Sequence, residues 1–127
     1  MRSSKFLFLL SPPISGSTLV KELVEASPQV SSFKSEGQWL PGLEHILGTP
    51  TRWDPEMAVD CLQVKRVFYA NWDLSHPVLF EKSPPHLVRA DQLAQYFQPG
   101  YFLVTIRNPF AQIEGLLRRG WYTSGAD

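Results

Sequence analysis

Apolar residues fall along this chain in short runs, each followed by a polar or proline-rich break and then by a longer, periodically apolar stretch. Phe6-Leu7-Phe8-Leu9-Leu10 is a continuous apolar run bounded by Lys5 and by Ser11-Pro12-Pro13, the pattern of a strand buried on both faces in a parallel sheet. Ser11 to Thr18 is rich in loop formers, and Leu19, Val20, Leu23 and Val24 then line one face of a predicted helix. Ser27-Pro28 ends that helix, because proline lacks a backbone donor and disfavours the α region in the residue before it.

The unit recurs. Val78-Leu79-Phe80 is a second apolar run, ended by Glu81-Lys82-Ser83-Pro84-Pro85, and residues 87–97 carry Leu93, Ala94 and Phe97 as a helix. Tyr101 to Ile106 forms the clearest predicted strand and runs into Arg107-Asn108-Pro109, with Phe110, Ile113, Leu116 and Leu117 lining a helix behind it. Asn108 and Pro109 read as that helix's cap and first residue. The middle of the chain is weaker in pattern: glycines and prolines interrupt residues 31–51, where a short helix near 43–47 is expected. Asp54-Pro55-Glu56 reads as the start of a helix over 55–72 that carries Met57, Cys61, Val64 and Phe68.

Strand, loop and helix in repetition predict an α/β fold, a three-layer parallel sheet whose ligands bind at the carboxyl edges of the strands. The loops at 11–17, 81–85 and 107–109 are then the candidate site. A three-stranded parallel sheet is small and leaves edges and helix faces uncovered. The chain is therefore expected to be incomplete, its open edges and faces covered by a missing segment or by oligomerisation.

Composition narrows the function. The chain has 127 residues, and 43% hydrophobic with 13% aromatic content is enough for a core. Twelve Lys and Arg balance twelve Asp and Glu, which excludes a general electrostatic grip on nucleic acid or an anionic membrane, so any anion must be held locally. Cys61 is the single cysteine, which permits no internal disulfide and points to a reducing compartment. The apolar run after Lys5 is five residues long, shorter than the roughly 7 to 15 of a signal peptide. No stretch reaches the ~18 apolar residues of a membrane span. The expectation is a soluble, cytoplasmic protein.

The loop from Ser11 to Thr18 joins a buried strand to a helix, so its amides and the helix N-terminus converge on one spot suited to phosphate. Ser15, Ser17 and Thr18 add hydroxyl donors. An ordinary turn with a Ser/Thr helix cap fits the same residues. The nucleoside-triphosphatase loop G-x-x-x-x-G-K-[ST] is not met, because Ser17 rather than lysine follows Gly16. A small nucleotide kinase, which would need Mg²⁺ and a triphosphate, is correspondingly disfavoured.

From Lys5 to Arg119 the chain resembles the sulfotransferase family, most closely its tyrosylprotein-type branch. That family's first strand leads into P-[KR]-S-G-[ST]-T-[LW], which stands here as Pro13-Ile14-Ser15-Gly16-Ser17-Thr18-Leu19. Its second signature, a strand running into R-[DN]-P with a serine eight residues on, stands here as Arg107-Asn108-Pro109 with Gly115 at the serine position. Glu36 and Lys82 occupy the places of the glutamate that acts as base and of the lysine near the transferred group. The resemblance implies a P-loop NTPase-like fold and a sulfuryl transfer without metal, from 3′-phosphoadenosine 5′-phosphosulfate to a hydroxyl or amine of a small-molecule, protein or carbohydrate acceptor. It implies that Ser15, Gly16, Ser17 and Thr18 hold the 5′ phosphosulfate, that Arg107 holds the 3′ phosphate, and that residues 1–127 are the N-terminal part of a single sulfotransferase-like domain. Arg107, at the end of a strand expected to be buried, also suits a carboxylate partner.

Two positions depart from the motifs. Ile14 stands where the family has Lys or Arg beside the leaving phosphate, and Gly115 lacks the hydroxyl for the 3′ phosphate. A catalytically impaired remnant that binds a phospho-nucleotide or a partner is the alternative these departures favour. Among the other residues, His45, His76 and His86 have no metal-ligand spacing and are expected at the surface or in turns. The tryptophans are expected in the core or lining an acceptor cleft, and Cys61 as a buried, inert thiol.

Overall fold

The computed structural model describes residues 4–13 and 15–120. Ile14, which bears on the phosphate loop, and Trp121 lie outside the described residues. The described chain is an α/β fold built on a four-stranded, all-parallel sheet. In chain order its elements are β1 (Lys5–Leu10), α1 (Ser17–Glu25), β2 (Val30–Ser31), α2 (Cys61–Asn71), β3 (Val78–Lys82), α3 (Ala90–Tyr96), β4 (Gly100–Val104) and α4 (Pro109–Arg118), with short 3-10 turns at Gly37–Trp39 and Pro84–Val88. The strand order is β2-β3-β1-β4, so β1 is central, flanked by β3 and β4. Phe6 lies opposite Leu79, and Leu9 opposite Lys82 on one side and Leu103 on the other.

The pleat divides the sheet residues between two faces. Phe6, Phe8, Leu10 and Leu79 face the main core, where they join Val64, Phe68 and Trp72 from α2 and Leu93 and Phe97 at α3. Aromatic rings carry this core. Phe33 stacks on Trp72 with centroids 5.1 Å apart, and Phe97 meets both Phe6 and Phe8 edge-on at 5.3 Å. Such pairs add about 0.5–1.5 kcal/mol each beyond the area they bury. The one polar atom this cluster must satisfy, Trp72 Nε1, donates to the Phe80 carbonyl at 3.0 Å.

Several expectations change. The helix foreseen over 55–72 starts only at Cys61, because the Asp60 carboxylate accepts from the Gln63 amide and caps it there. Asp54-Pro55-Glu56 folds instead as a turn, with Asp54 Oδ1 accepting from the Glu56 amide. Residues 43–47 make turns, not a regular helix, yet Leu43 and Leu47 are buried in the core. The helix foreseen over 87–97 divides at Arg89, whose φ of −138° and ψ of 27° separate the Pro84–Val88 turn from α3. The short strand β2, with Val30 beside Val78, adds a fourth member to the sheet.

The peripheral faces also differ from expectation. Leu19 and Leu23 of α1 stand largely exposed, as do Phe110, Ile113 and Leu117 of α4. β4 is an edge strand and exposes Tyr101, Leu103 and Val104. No helix among the described residues is long and apolar enough to cross a membrane.

Candidate functional site at the carboxyl edge of the sheet

Parallel strands end on the same edge, and here β1 and β3 end side by side, since Leu9 is in register with Lys82. The loop after β1 begins with the fully buried Ser11 and turns into α1 at Gly16, whose φ of 82° is a left-handed conformation that glycine adopts without steric penalty. The α1 N-terminus carries no side-chain cap, so its first amides keep the donor capacity that an anion uses. Ser17 is buried at the first turn, and Thr18 is exposed beside it.

Ser15 turns back into the loop. Its hydroxyl donates to the Pro12 carbonyl at 2.7 Å and lies 3.4 Å from the Thr105 hydroxyl, just beyond β4. Gln112 of α4 donates to the Pro13 carbonyl, which ties the fourth helix to the same loop. The α4 N-terminus is closed by Asn108, whose side chain accepts from the Phe110 and Ala111 amides.

Lys82 and Glu36 are brought together. Lys82 closes β3 with only 8% of its side chain exposed, and its Nζ lies 3.8 Å from Glu36 Oε1, with Glu36 28% exposed. Glu36 Oε2 also accepts from Gln38 Nε2 at 3.1 Å. The two candidate catalytic groups thus meet at the end of β3, beside the end of β1, the strand that leads into the loop carrying Ser15, Gly16, Ser17 and Thr18.

Arg107 departs from the expected setting. It is exposed, because β4 is a sheet edge and ends at Val104. Burial at a strand end therefore does not explain its presence. Among the described residues no group of three His, Cys, Asp or Glu side chains is placed to hold a metal ion.

Behind Lys82 lies a polar cluster that motif reading did not single out. Glu81 is 2% exposed, and both its carboxylate oxygens accept from the Gly37 amide, at 2.9 and 3.0 Å. Ser83 donates to Glu81 Oε1, and its own oxygen accepts from the Gln38 amide at 3.2 Å. His86 is buried, contrary to the surface position expected for it, with Nε2 at 3.6 Å from Glu81 Oε1. The Pro-Pro turn before His86 folds the chain back under Phe8 and Phe68, whose rings meet the imidazole edge-on. The available signal was positional: a strand of period 2 that places Leu79 in the core also places Glu81 there.

A small cavity beyond His86 is lined by Cys61, Val64, Arg89 and Gln92. Arg89 is 3% exposed and donates to the Arg52 carbonyl, while its Nε and one terminal nitrogen have no hydrogen-bond partner among the described residues. Burial pulls the Arg89 guanidinium down from its ordinary value, against a smaller opposing effect of Cys61. Burial pushes the Cys61 thiol up, with Arg89 acting in the opposite direction. Cys61 is only half-buried, at the start of α2.

Trp39 is 46% exposed, with the Arg52 guanidinium 5.8 Å from its ring centroid. It sits one residue beyond Gln38, beside the Glu36 turn, whereas Trp72 is a core residue. The chain matches no family model and no curated protein.

Proposed function

We propose that this chain is a sulfotransferase-like protein that moves a sulfuryl group from 3′-phosphoadenosine 5′-phosphosulfate to an acceptor hydroxyl or amine. The observation that carries the reading is the meeting of Glu36 and Lys82 at the carboxyl edge of the sheet, 3.8 Å apart and beside the end of β1. A carboxylate and an ammonium paired at the strand ends, with an uncapped helix N-terminus following the adjacent strand, supply the three things this reaction requires.

In that reaction the acceptor oxygen or nitrogen attacks sulfur as the bond from sulfur to the bridging phosphate oxygen breaks. The acceptor proton passes to Glu36, and the leaving phosphate takes the bonding electron pair. Lys82 stabilises the charge that develops on the bridging and sulfuryl oxygens. The amides at Gly16 to Thr18 and the Ser17 hydroxyl hold the 5′ phosphate. Arg107, exposed and close in sequence to Thr105, reaches for the 3′ phosphate. The half-exposed Trp39 offers a flat apolar surface to the acceptor next to Glu36.

A second reading rests on Ile14 and Gly115. An alkyl group and a glycine stand where the family pattern supplies a cation and a hydroxyl, and loss of one such contact lowers rate by on the order of 10²- to 10³-fold. On that reading the chain binds the nucleotide with little turnover. Transfer of labelled sulfuryl from the cosubstrate to a tyrosine peptide, an oligosaccharide and a small alcohol separates the two. Label in an acceptor that is lost in Glu36→Gln supports the enzyme. Binding without label, restored by Ile14→Arg, supports the impaired form, and neither binding nor label removes both.

A further inference from the structure

Three consecutive residues, the last two of β3 and the first beyond it, engage three consecutive residues of the turn that carries Glu36. Lys82 pairs with Glu36, Glu81 accepts from the Gly37 amide with both oxygens, and Ser83 accepts from the Gln38 amide. Glu81 and Ser83 also bond to each other. A carboxylate 2% exposed would be strongly destabilising if left bare. Here the Gly37 amide and the Ser83 hydroxyl answer it; the first belongs to the turn, and the second also accepts from the turn's Gln38 amide.

The fit around Gly37 is close. A Cβ there would lie 2.7 Å from both Glu81 Oε2 and Phe68 Cε1, so the glycine lets the backbone come down onto the carboxylate. Gln38 is 5% exposed, and the Gln38 side chain in turn donates to Glu36 Oε2 at 3.1 Å. The Glu36 carboxylate is therefore held from its partner Lys82, from Gln38, and through the backbone of the residues that follow it. Packing alone would be served as well by an apolar side chain at position 81, since buried charges seldom add net stability.

We propose that Glu81 and Ser83 are positioning residues, a buried clamp on the 36–38 turn that fixes the Glu36 carboxylate against Lys82 for proton transfer. This deepens the sulfuryl-transfer reading and rests on it for the identity of the reaction. Neither residue need touch substrate. Their effect is to hold a base within the ~3 Å reach that proton abstraction requires.

Amide hydrogen exchange on the whole chain, read residue by residue by NMR, tests the clamp without nucleotide or turnover. In the wild-type chain the Gly37 and Gln38 amides are expected to exchange at least 100-fold more slowly than unstructured amides, and fast exchange at both overturns the clamp. Ser83→Ala is expected to speed exchange at Gly37 and Gln38 tenfold or more while Phe8 and Leu9 of β1 change less than twofold. A rise shared equally by β1, or none at the turn, overturns it. Glu81→Gln, which keeps the shape of the side chain, is the second variant if Ser83→Ala does not fold, with the same expectation.

The functional arm uses the same variants. Sulfuryl transfer is expected to fall tenfold or more in kcat, with the affinity for 3′-phosphoadenosine 5′-phosphate unchanged within twofold, because the clamp acts on the base and not on the nucleotide loop. Equal loss of affinity and kcat overturns the positioning role in favour of a general structural one. A wild-type chain with protected turn amides that takes no nucleotide overturns the sulfuryl reading and the catalytic purpose of the clamp, while the clamp itself stands on the exchange data.

Discussion

Lys82 Nζ stands 3.8 Å from Glu36 Oε1 across the gap between a strand end and a turn far from it in the chain. The lysine is buried, the glutamate partly open, and the pair sits at the end of β3, beside the end of β1. Lys82→Met keeps the apolar stem of the side chain and removes the charge. Glu36, the partner left behind, keeps access to solvent and the hydrogen bond from Gln38, so thermal or denaturant melting is expected to show a loss smaller than the roughly 3–5 kcal/mol of a fully buried pair broken on one side. Sulfuryl transfer is expected to fall by roughly 10²- to 10³-fold, as for loss of a group that stabilises charge in the transition state. A variant of unchanged turnover removes Lys82 from the chemistry.

Gly37 and Gly16 differ in the reason for their glycine. Gly37→Ala puts a methyl 2.7 Å from Glu81 Oε2 and Phe68 Cε1, an overpacking expected to destabilise by about 1–3 kcal/mol and to displace the Glu36 turn. At Gly16 a Cβ would meet nothing within 4 Å, but φ is +82°, so Gly16→Ala is expected to destabilise by about 1–2 kcal/mol through the backbone alone. Urea melts of the two variants measure both. Sulfuryl transfer is expected to fall in both variants, but affinity for 3′-phosphoadenosine 5′-phosphate is expected to fall only in Gly16→Ala, because Gly37→Ala displaces the Glu36 turn and leaves the β1–α1 loop unchanged.

Asn108 closes α4 by accepting from the Phe110 amide at 2.9 Å and the Ala111 amide at 3.4 Å. Asn108→Ala is expected to destabilise by about 0.5–2 kcal/mol and to loosen the Gln112 link to the β1–α1 loop. Asn108→Asp keeps an acceptor there, and its melt is expected to stay within about 0.5 kcal/mol of the wild type. Equal losses in the two variants would show that the cap is not what matters at this position.

Asp73 gives a pH dependence of known sign. Its carboxylate accepts from the Ser75 hydroxyl at 2.6 Å and the Ser75 amide at 3.0 Å, and these bonds, with a lesser effect of His76 at 3.3 Å, hold it below the usual carboxylate range. A depressed carboxylate stabilises the fold fully above its unfolded value, about 3.9, and the contribution fades as pH falls through the lower folded value. Asp73→Asn is therefore expected to be less stable than wild type at neutral pH, with the difference shrinking below about pH 4. Melts from pH 2 to 7 read this directly, and a gap that widens toward acid contradicts it.

Much of the sheet was legible because its strands are marked by their own residues. Phe6 to Leu10 and Val78 to Phe80 are apolar throughout and ended by proline-bearing loops, and the β1–α1 turn announces itself in Ser15-Gly16-Ser17. The pairing of Glu36 with Lys82 has no local signal, since nothing in either segment links a turn to a strand so distant from it. Other features turn on contacts no window contains. Val30–Ser31 is too short for a period and is a strand because Val78 lies beside it. Asp60 rather than Asp54 starts α2 because its side chain reaches the Gln63 amide. His86, a polar residue after two prolines, is buried because Phe8 and Phe68 close over it. Arg107 reads as a buried strand-end guanidinium, yet it is exposed because β4 has no further neighbour among the described strands.

The central claim is that this edge of the sheet binds a nucleotide carrying a 3′ phosphate. Calorimetric titration of the chain with 3′-phosphoadenosine 5′-phosphate, against ADP as the ligand without that phosphate, tests it most directly. A preference of tenfold or more, about 1.4 kcal/mol, that disappears in Arg107→Ala is the expected result. Equal binding of the two nucleotides, or binding of neither by a chain that melts cooperatively, contradicts it.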